Sequence, residues 1–110
     1  MDKFSGNIFD PPNQSNDIEV FTSLFESDSI RIEKINGLRP YTKPGKWYDQ
    51  ADDEWVILLQ GDAVIEFRDK KTVALQAGDF IFIPAHKAHR IKETSKTRNC
   101  LWLAIHGKLK

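Results

Sequence analysis

Between residues 55 and 106 the chain is a succession of short apolar runs separated by turn-forming residues, with no helical three-and-four spacing in between. The runs cover residues 55–59, 63–67, 72–75, 80–84, 89–93 and 101–106, and the breaks are Gln60-Gly61-Asp62, Arg68-Asp69-Lys70-Lys71, Ala77-Gly78-Asp79 and residues 95–99. Short strands at close spacing predict an antiparallel all-β sandwich or barrel. A further strand precedes them. In residues 30–35, Ile30, Ile32 and Ile35 are interleaved with Arg31, Glu33 and Lys34, a period of two that slips only at its end, which predicts one wet face and one apolar face.

The N-terminal part follows a different pattern. Residues 1–16, with Pro11, Pro12, Asn13, Gln14, Ser15 and Asn16, read as an arm, and residues 17–110 as one domain. Phe21, Leu24 and Phe25 stand at i, i+3 and i+4 behind Asp17, a possible cap, so a short helix beginning near Ile18 is expected there, with a strand as the alternative. A chain of 110 residues has room for one core. Its 16 basic and 16 acidic residues balance, and no basic run is long enough to follow a phosphate backbone, so nucleic acid is not an expected partner. The absence of a basic start followed by an apolar stretch, and of any 18-residue apolar run, predicts a protein of the cytoplasm without a membrane partner. The single Cys100, set in an apolar run, reads as a small buried hydrophobe.

The chemistry concentrates in two places. In "WYDQADDEWVILLQG" the carboxylate of Glu54 abuts a run in which Glu54, Val56 and Leu58 share one face and Trp55, Ile57 and Leu59 the other. Neither face is evidently wet, so Glu54 has reason to point inward, where a lone carboxylate needs a cation, a metal ion or strong donors. In "GDFIFIPAHKAHRI", Pro84 ends a strand, and His86 and His89 follow three residues apart; a turn over residues 85–88 would be needed to bring both imidazoles to one side. Asp52 and Asp53 read as solvated loop residues. His106 reads either as a core or capping histidine or as part of a pocket, and Trp47, Trp55 and Trp102 either as core or as an aromatic wall. Lys43, Lys46 and Arg90, near the motifs, are compatible with an anionic ligand.

Two of these segments resemble the paired motifs of small single-domain cupins of the type-2 kind, over residues 7–106. Glu54, six residues and Gly61 fit the end of the first motif; Gly78, five residues, Pro84 and then His89 fit the second, with sixteen residues between Gly61 and Gly78. The resemblance implies an antiparallel jelly-roll β-barrel, a divalent metal ion (zinc, iron, manganese or nickel) at its mouth, and a small oxygenated acid, sugar or phenol as ligand.

This sequence departs from the pattern at two points. The first-motif histidines are replaced by Trp47 and Asp49 or by Tyr48 and Gln50, depending on the spacing adopted, and His86 stands where the second motif has glycine, at a position that can require a left-handed backbone. The metal set implied is therefore Glu54, His86, His89 and Asp49 or Gln50, with Gln50, Trp47 and His106 as pocket residues. The alternative is a metal-free polar pocket in a non-catalytic binding module, or one in which a buried Glu54 acts as general acid or base. The sequence does not decide whether the protein is an enzyme. A homodimer is expected, since strands apolar on both faces leave Trp55 and Leu59, or Ile81 and Ile83, in need of cover.

Overall fold

The computed structural model describes residues 5–11, 20–37, 45–94 and 99–110. Eight strands account for nearly all the regular structure: β1 (Val20–Glu26), β2 (Ile30–Gly37), β3 (Asp53–Gln60), β4 (Asp62–Phe67), β5 (Thr72–Gln76), β6 (Phe80–Ile83), β7 (His89–Thr94) and β8 (Cys100–Gly107). They form two antiparallel sheets, one in the order β1-β2-β8-β3-β6 and one in the order β5-β4-β7. Among the described residues no helix is long and apolar enough to cross a membrane.

The strands from β2 onward lie where the apolar runs and turn residues predict them. Gly61, between β3 and β4, has φ +90, and a Cβ there would stand 2.8 Å from the Cys100 sulfur, so the turn is closed to larger residues on both counts. Gly78, at φ +97, donates its amide to the Leu58 carbonyl at 2.7 Å and so ties the β5–β6 turn to β3.

The predicted N-terminal helix is a correction. Val20–Glu26 is an edge strand paired with β2, with a register shift between Ser23 and Phe25. Phe21, Leu24 and Phe25 are all exposed. Their spacing therefore does not mark a face that packs inward, and cross-strand pairing overrides the local pattern. The expected helix start at Asp17 and Ile18 lies outside the described residues. Among the described residues, strand pairing does not join the two sheets into a closed barrel.

Side chains of both sheets share one core, with Val56, Leu58, Trp102 and Ala104 from the larger sheet and Ala63, Ile65, Phe67 and Leu75 from the smaller. Each large apolar side chain buried there contributes roughly 1.5–3 kcal/mol. On β3 the burial alternates, with Glu54, Val56 and Leu58 inward and Trp55, Ile57 and Leu59 less covered; Trp55 stacks on Phe80 at 5.5 Å between ring centres. β2 corrects the reading of its faces: Arg31, Glu33 and Ile35 turn to the interior, while Lys34 is buried on the other side, where its ammonium donates to the Ile8 and Asp10 carbonyls at 3.3 and 2.8 Å.

Candidate functional site

The two sheets leave between them a cavity of about 300 Å³. Its walls are largely apolar, from Ile35, Val56, Ile65, Ile83, Ile91 and Trp102. Its polar groups come from five chain segments: Arg31 and Glu33 on β2, Tyr48 and Gln50 before β3, Glu54 on β3, His89 on β7 and His106 on β8. A mostly apolar recess with a few convergent polar groups is the usual form of a small-molecule site.

Glu54 stands at the centre of the polar set. One carboxyl oxygen lies 3.6 Å from His89 Nε2 and the other 3.9 Å from His106 Nε2. His106 Nε2 lies 3.0 Å from Glu33 Oε1, and the second Glu33 oxygen is 3.8 Å from Arg31 Nε. Glu54, His89 and His106 are all buried. Strand pairing fixes part of this arrangement, since Glu54 sits directly opposite His106 and Arg31 opposite the same residue on its other side.

The hydrogen bonds assign the tautomers. His89 Nδ1 is 2.9 Å from the Lys87 carbonyl, which can only accept, so that nitrogen carries the proton, and in the neutral ring that burial favours Nε2 turns a lone pair toward Glu54. In His106 the nitrogen facing Glu33 carries the proton, because a carboxylate also only accepts, and buried Nδ1 has no partner among the described residues. A second proton on His106 would leave an unpaired buried donor, which fits a basicity lowered by burial and by the Arg31 charge against the opposing pull of Glu33. Burial likewise lowers His89, although its Lys87 hydrogen bond works the other way.

With both imidazoles made less basic by burial, Arg31 is the positive charge that acts on Glu54. Burial first, and then the charge of Glu33, push its pKa up to about 7, while Arg31 pulls the other way. The adjacent Asp53 has the opposite fate: it accepts from the Ala85 and Leu109 amides, both at 2.9 Å, and these bonds hold its carboxyl below the usual range. Asp53 is therefore a buried staple and not the solvated residue the sequence suggests.

The structure separates the two registers of the first motif. Tyr48 and Gln50 line the cavity, and Trp47 and Asp49 do not. A reciprocal backbone pair between Tyr48 and His89, at 2.8 and 3.0 Å, sets that register. Trp47 instead has the guanidinium groups of Arg68 and Arg90 over its ring at 5.7 and 5.8 Å. His86 has the left-handed backbone its motif position suggests, φ 64, but its ring pairs with Asp49 at 2.9 Å on the exposed surface. His86 and His89 thus do not converge. Arg90 pairs with Glu66 at 2.7 Å, Lys46 is exposed, and Lys43 lies outside the described residues.

Residues 39–106, with Glu54 and His89 at the motif positions, match the family described as the cupin domain. The chain is a cupin. The Bacillus subtilis (strain 168) protein YdbB, itself uncharacterised, is 36% identical over 76 residues, which cover 64% of this chain and 67% of that protein. A Ralstonia eutropha JMP134 protein put forward as a mannose-6-phosphate isomerase has a similar structure, with TM-score 0.88 and 33% identity over 94% of this cupin and 97% of that chain. A cupin superfamily protein of Desulfitobacterium hafniense DCB-2 superposes with TM-score 0.73 at 24% identity, covering 88% and 84% of the two chains.

Cupins commonly carry a divalent ion, which needs several donors converging on one point. Here Tyr48 and Gln50 occupy the cavity-facing first-motif positions, and His86 and Asp49 bind each other outside. Among the described residues no group of three or more His, Cys, Asp or Glu side chains is arranged to hold an ion. The donors present do not fit the ion of the family pattern.

Sequence reasoning missed Arg31 and Glu33. The available signal was the slip at Ile35, which places Arg31, Glu33 and Ile35 on one parity.

Proposed function

We propose that this cupin binds a small oxygenated organic molecule in the cavity and transfers a proton on it, with Glu54 as the general acid–base group. The observation that carries the reading is a buried carboxyl 3.6 Å from His89 Nε2, its pKa pushed up to about 7 by that burial. A group whose pKa lies near the operating pH is populated in both forms, which is what a proton shuttle requires.

In the step envisaged, the Glu54 carboxylate removes a proton from a carbon next to a carbonyl. The C–H bond breaks, its electron pair becomes a carbon–carbon double bond, and the carbonyl oxygen takes the charge. The Gln50 carboxamide, which lines the same cavity, supplies an N–H donor for that oxygen. Protonated Glu54, whose carboxyl faces His89 Nε2 across 3.6 Å, then returns the proton to the same carbon or to its neighbour. Aldose–ketose isomerisation is a transfer of this kind, so the activity put forward for the Ralstonia eutropha relative supports the reaction class.

A homodimer in the cytoplasm is part of the same reading. The exposed Phe21 and Phe25 on β1 and Phe80 on β6, at the two edges of the larger sheet, support the former, and a single, buried cysteine, Cys100, agrees with the latter.

The test works without the product being identified. Hydroxyacetone, glyceraldehyde and pyruvate are incubated with the protein in deuterated buffer, and deuterium incorporation next to the carbonyl is followed by NMR. Exchange on at least one of them that Glu54→Gln abolishes supports the reading. No exchange above that variant refutes it and leaves a non-catalytic binding module.

A further inference from the structure

Arg31 is the one cation among the described residues that line the cavity. Its side chain is 42% exposed whereas those of Glu33 and His106 are 14% and 4%, so these three groups run from the mouth inward in that order. The contact of Arg31 with Glu33 is made through Nε at 3.8 Å, longer than a hydrogen bond, and the Glu33 oxygen nearest His106 is already engaged at 3.0 Å. Among the described residues no carboxylate occupies the paired outer nitrogens of the guanidinium. Such a planar fork matches one planar carboxylate through two parallel hydrogen bonds.

Resting on the proton-transfer reading above, we infer that the substrate of this cavity is a small 2-oxo monocarboxylate, its carboxylate on Arg31 at the mouth and its reactive carbon toward Glu54. Charge decides against a phosphate ester. A phosphate carries about −1.5 to −2 at neutral pH, and here it would face two carboxyl groups, Glu33 and Glu54, with one arginine to offset it. A single carboxylate asks for no more than the one fork provides. The walls of Ile35, Ile65, Ile91 and Trp102 then fit an alkyl or aryl tail.

Three small carbonyl probes that differ in charge separate the alternatives: pyruvate, neutral hydroxyacetone and dihydroxyacetone phosphate. Titration calorimetry on the whole protein is expected to show pyruvate or its larger analogue phenylpyruvate binding at least tenfold more tightly than either of the others. Arg31→Gln removes that preference, weakening pyruvate binding far more than hydroxyacetone binding. Arg31→Lys, which keeps the charge and loses the fork, falls between, and circular dichroism verifies that both variants are folded. The inference is overturned if neither 2-oxo acid binds, if the phosphate ester binds best, or if Arg31→Gln binds pyruvate as the parent does. Exchange of hydroxyacetone that depends on Glu54 but not on Arg31, with no Arg31-dependent binding of 2-oxo acids, would sink the carboxylate and keep the proton transfer. Arg31-dependent binding of 2-oxo acids without Glu54-dependent exchange would do the reverse.

Discussion

Replacing Glu54 by glutamine changes the stability of the protein in a way that depends on pH, and the sign follows from the site. The folded-state pKa of about 7 lies above the ordinary 4.5. Between these values the folded chain holds a proton that the unfolded chain has released, so stability falls as pH rises through this window. The difference of about 2.5 units corresponds to about 3 kcal/mol at the alkaline end, at about 1.4 kcal/mol per unit. Glutamine has no proton to lose, and its amide can still face His89 Nε2. Urea denaturation of parent and Glu54→Gln at matched pH removes the contributions of all other groups to first order. The advantage of the variant is expected to grow by about 2 to 3 kcal/mol between pH 5 and pH 8.5. With a slope of roughly 1.5 kcal/mol per molar, that is a midpoint shift of about 2 M. A difference that stays flat with pH would mean that Glu54 ionises as an exposed carboxyl does. One that narrows with pH would mean that the folded state stabilises its charge, as a bound cation would, and the argument from neutral imidazoles would fail.

Other outcomes follow from particular contacts. Elemental analysis of untagged protein is expected to give well below one equivalent of iron, manganese, nickel or zinc; one equivalent lost in both Glu54→Gln and His89→Ala would restore the ion expected from the family pattern. Gly61→Ala must place a Cβ 2.8 Å from the Cys100 sulfur at φ +90, so its urea midpoint should fall by an amount equivalent to about 2 kcal/mol or more. If Gly61→Ala in a Cys100→Ala background is no better tolerated, backbone strain is the main cause; if it is rescued, the sulfur contact is. Light scattering is expected to report twice the 12.7 kDa chain mass, and a single-chain mass at micromolar concentration would remove the homodimer.

Much of the scaffold can be read in the sequence because turn chemistry is local. Gly61, Gly78 and Pro84 mark chain reversals whatever surrounds them, and the short apolar runs between them settle the strands. Glu54 and His89 are legible for a related reason: a carboxylate against an apolar run and a histidine after a strand-ending proline stand out from their neighbours. Glu33 and Arg31 do not. Their alternation with Ile30 and Ile32 is that of an ordinary solvated face, and only the opposing sheet turns that face into a cavity wall. The pairing of His86 with Asp49, 37 residues apart, and the selection of Tyr48 and Gln50 for the interior depend on the Tyr48–His89 backbone bridge, which no local pattern encodes. The exposed Phe21, Leu24 and Phe25 misled in the opposite sense, since helical spacing carries information only where it faces a core.

Glu54 belongs to the larger sheet and His89 to the smaller, so the 3.6 Å between them is also a gauge of how far apart the two sheets stand. Proton affinity at this point and packing of the interior are therefore not independent quantities. A core substitution at Leu58 or Leu75 that lets the sheets drift by a fraction of an ångström would admit water and retune the acid without touching it. A bound molecule that draws them together would do the same in the other direction. Selection for a particular working pH can thus act on aliphatic side chains far from any reacting atom.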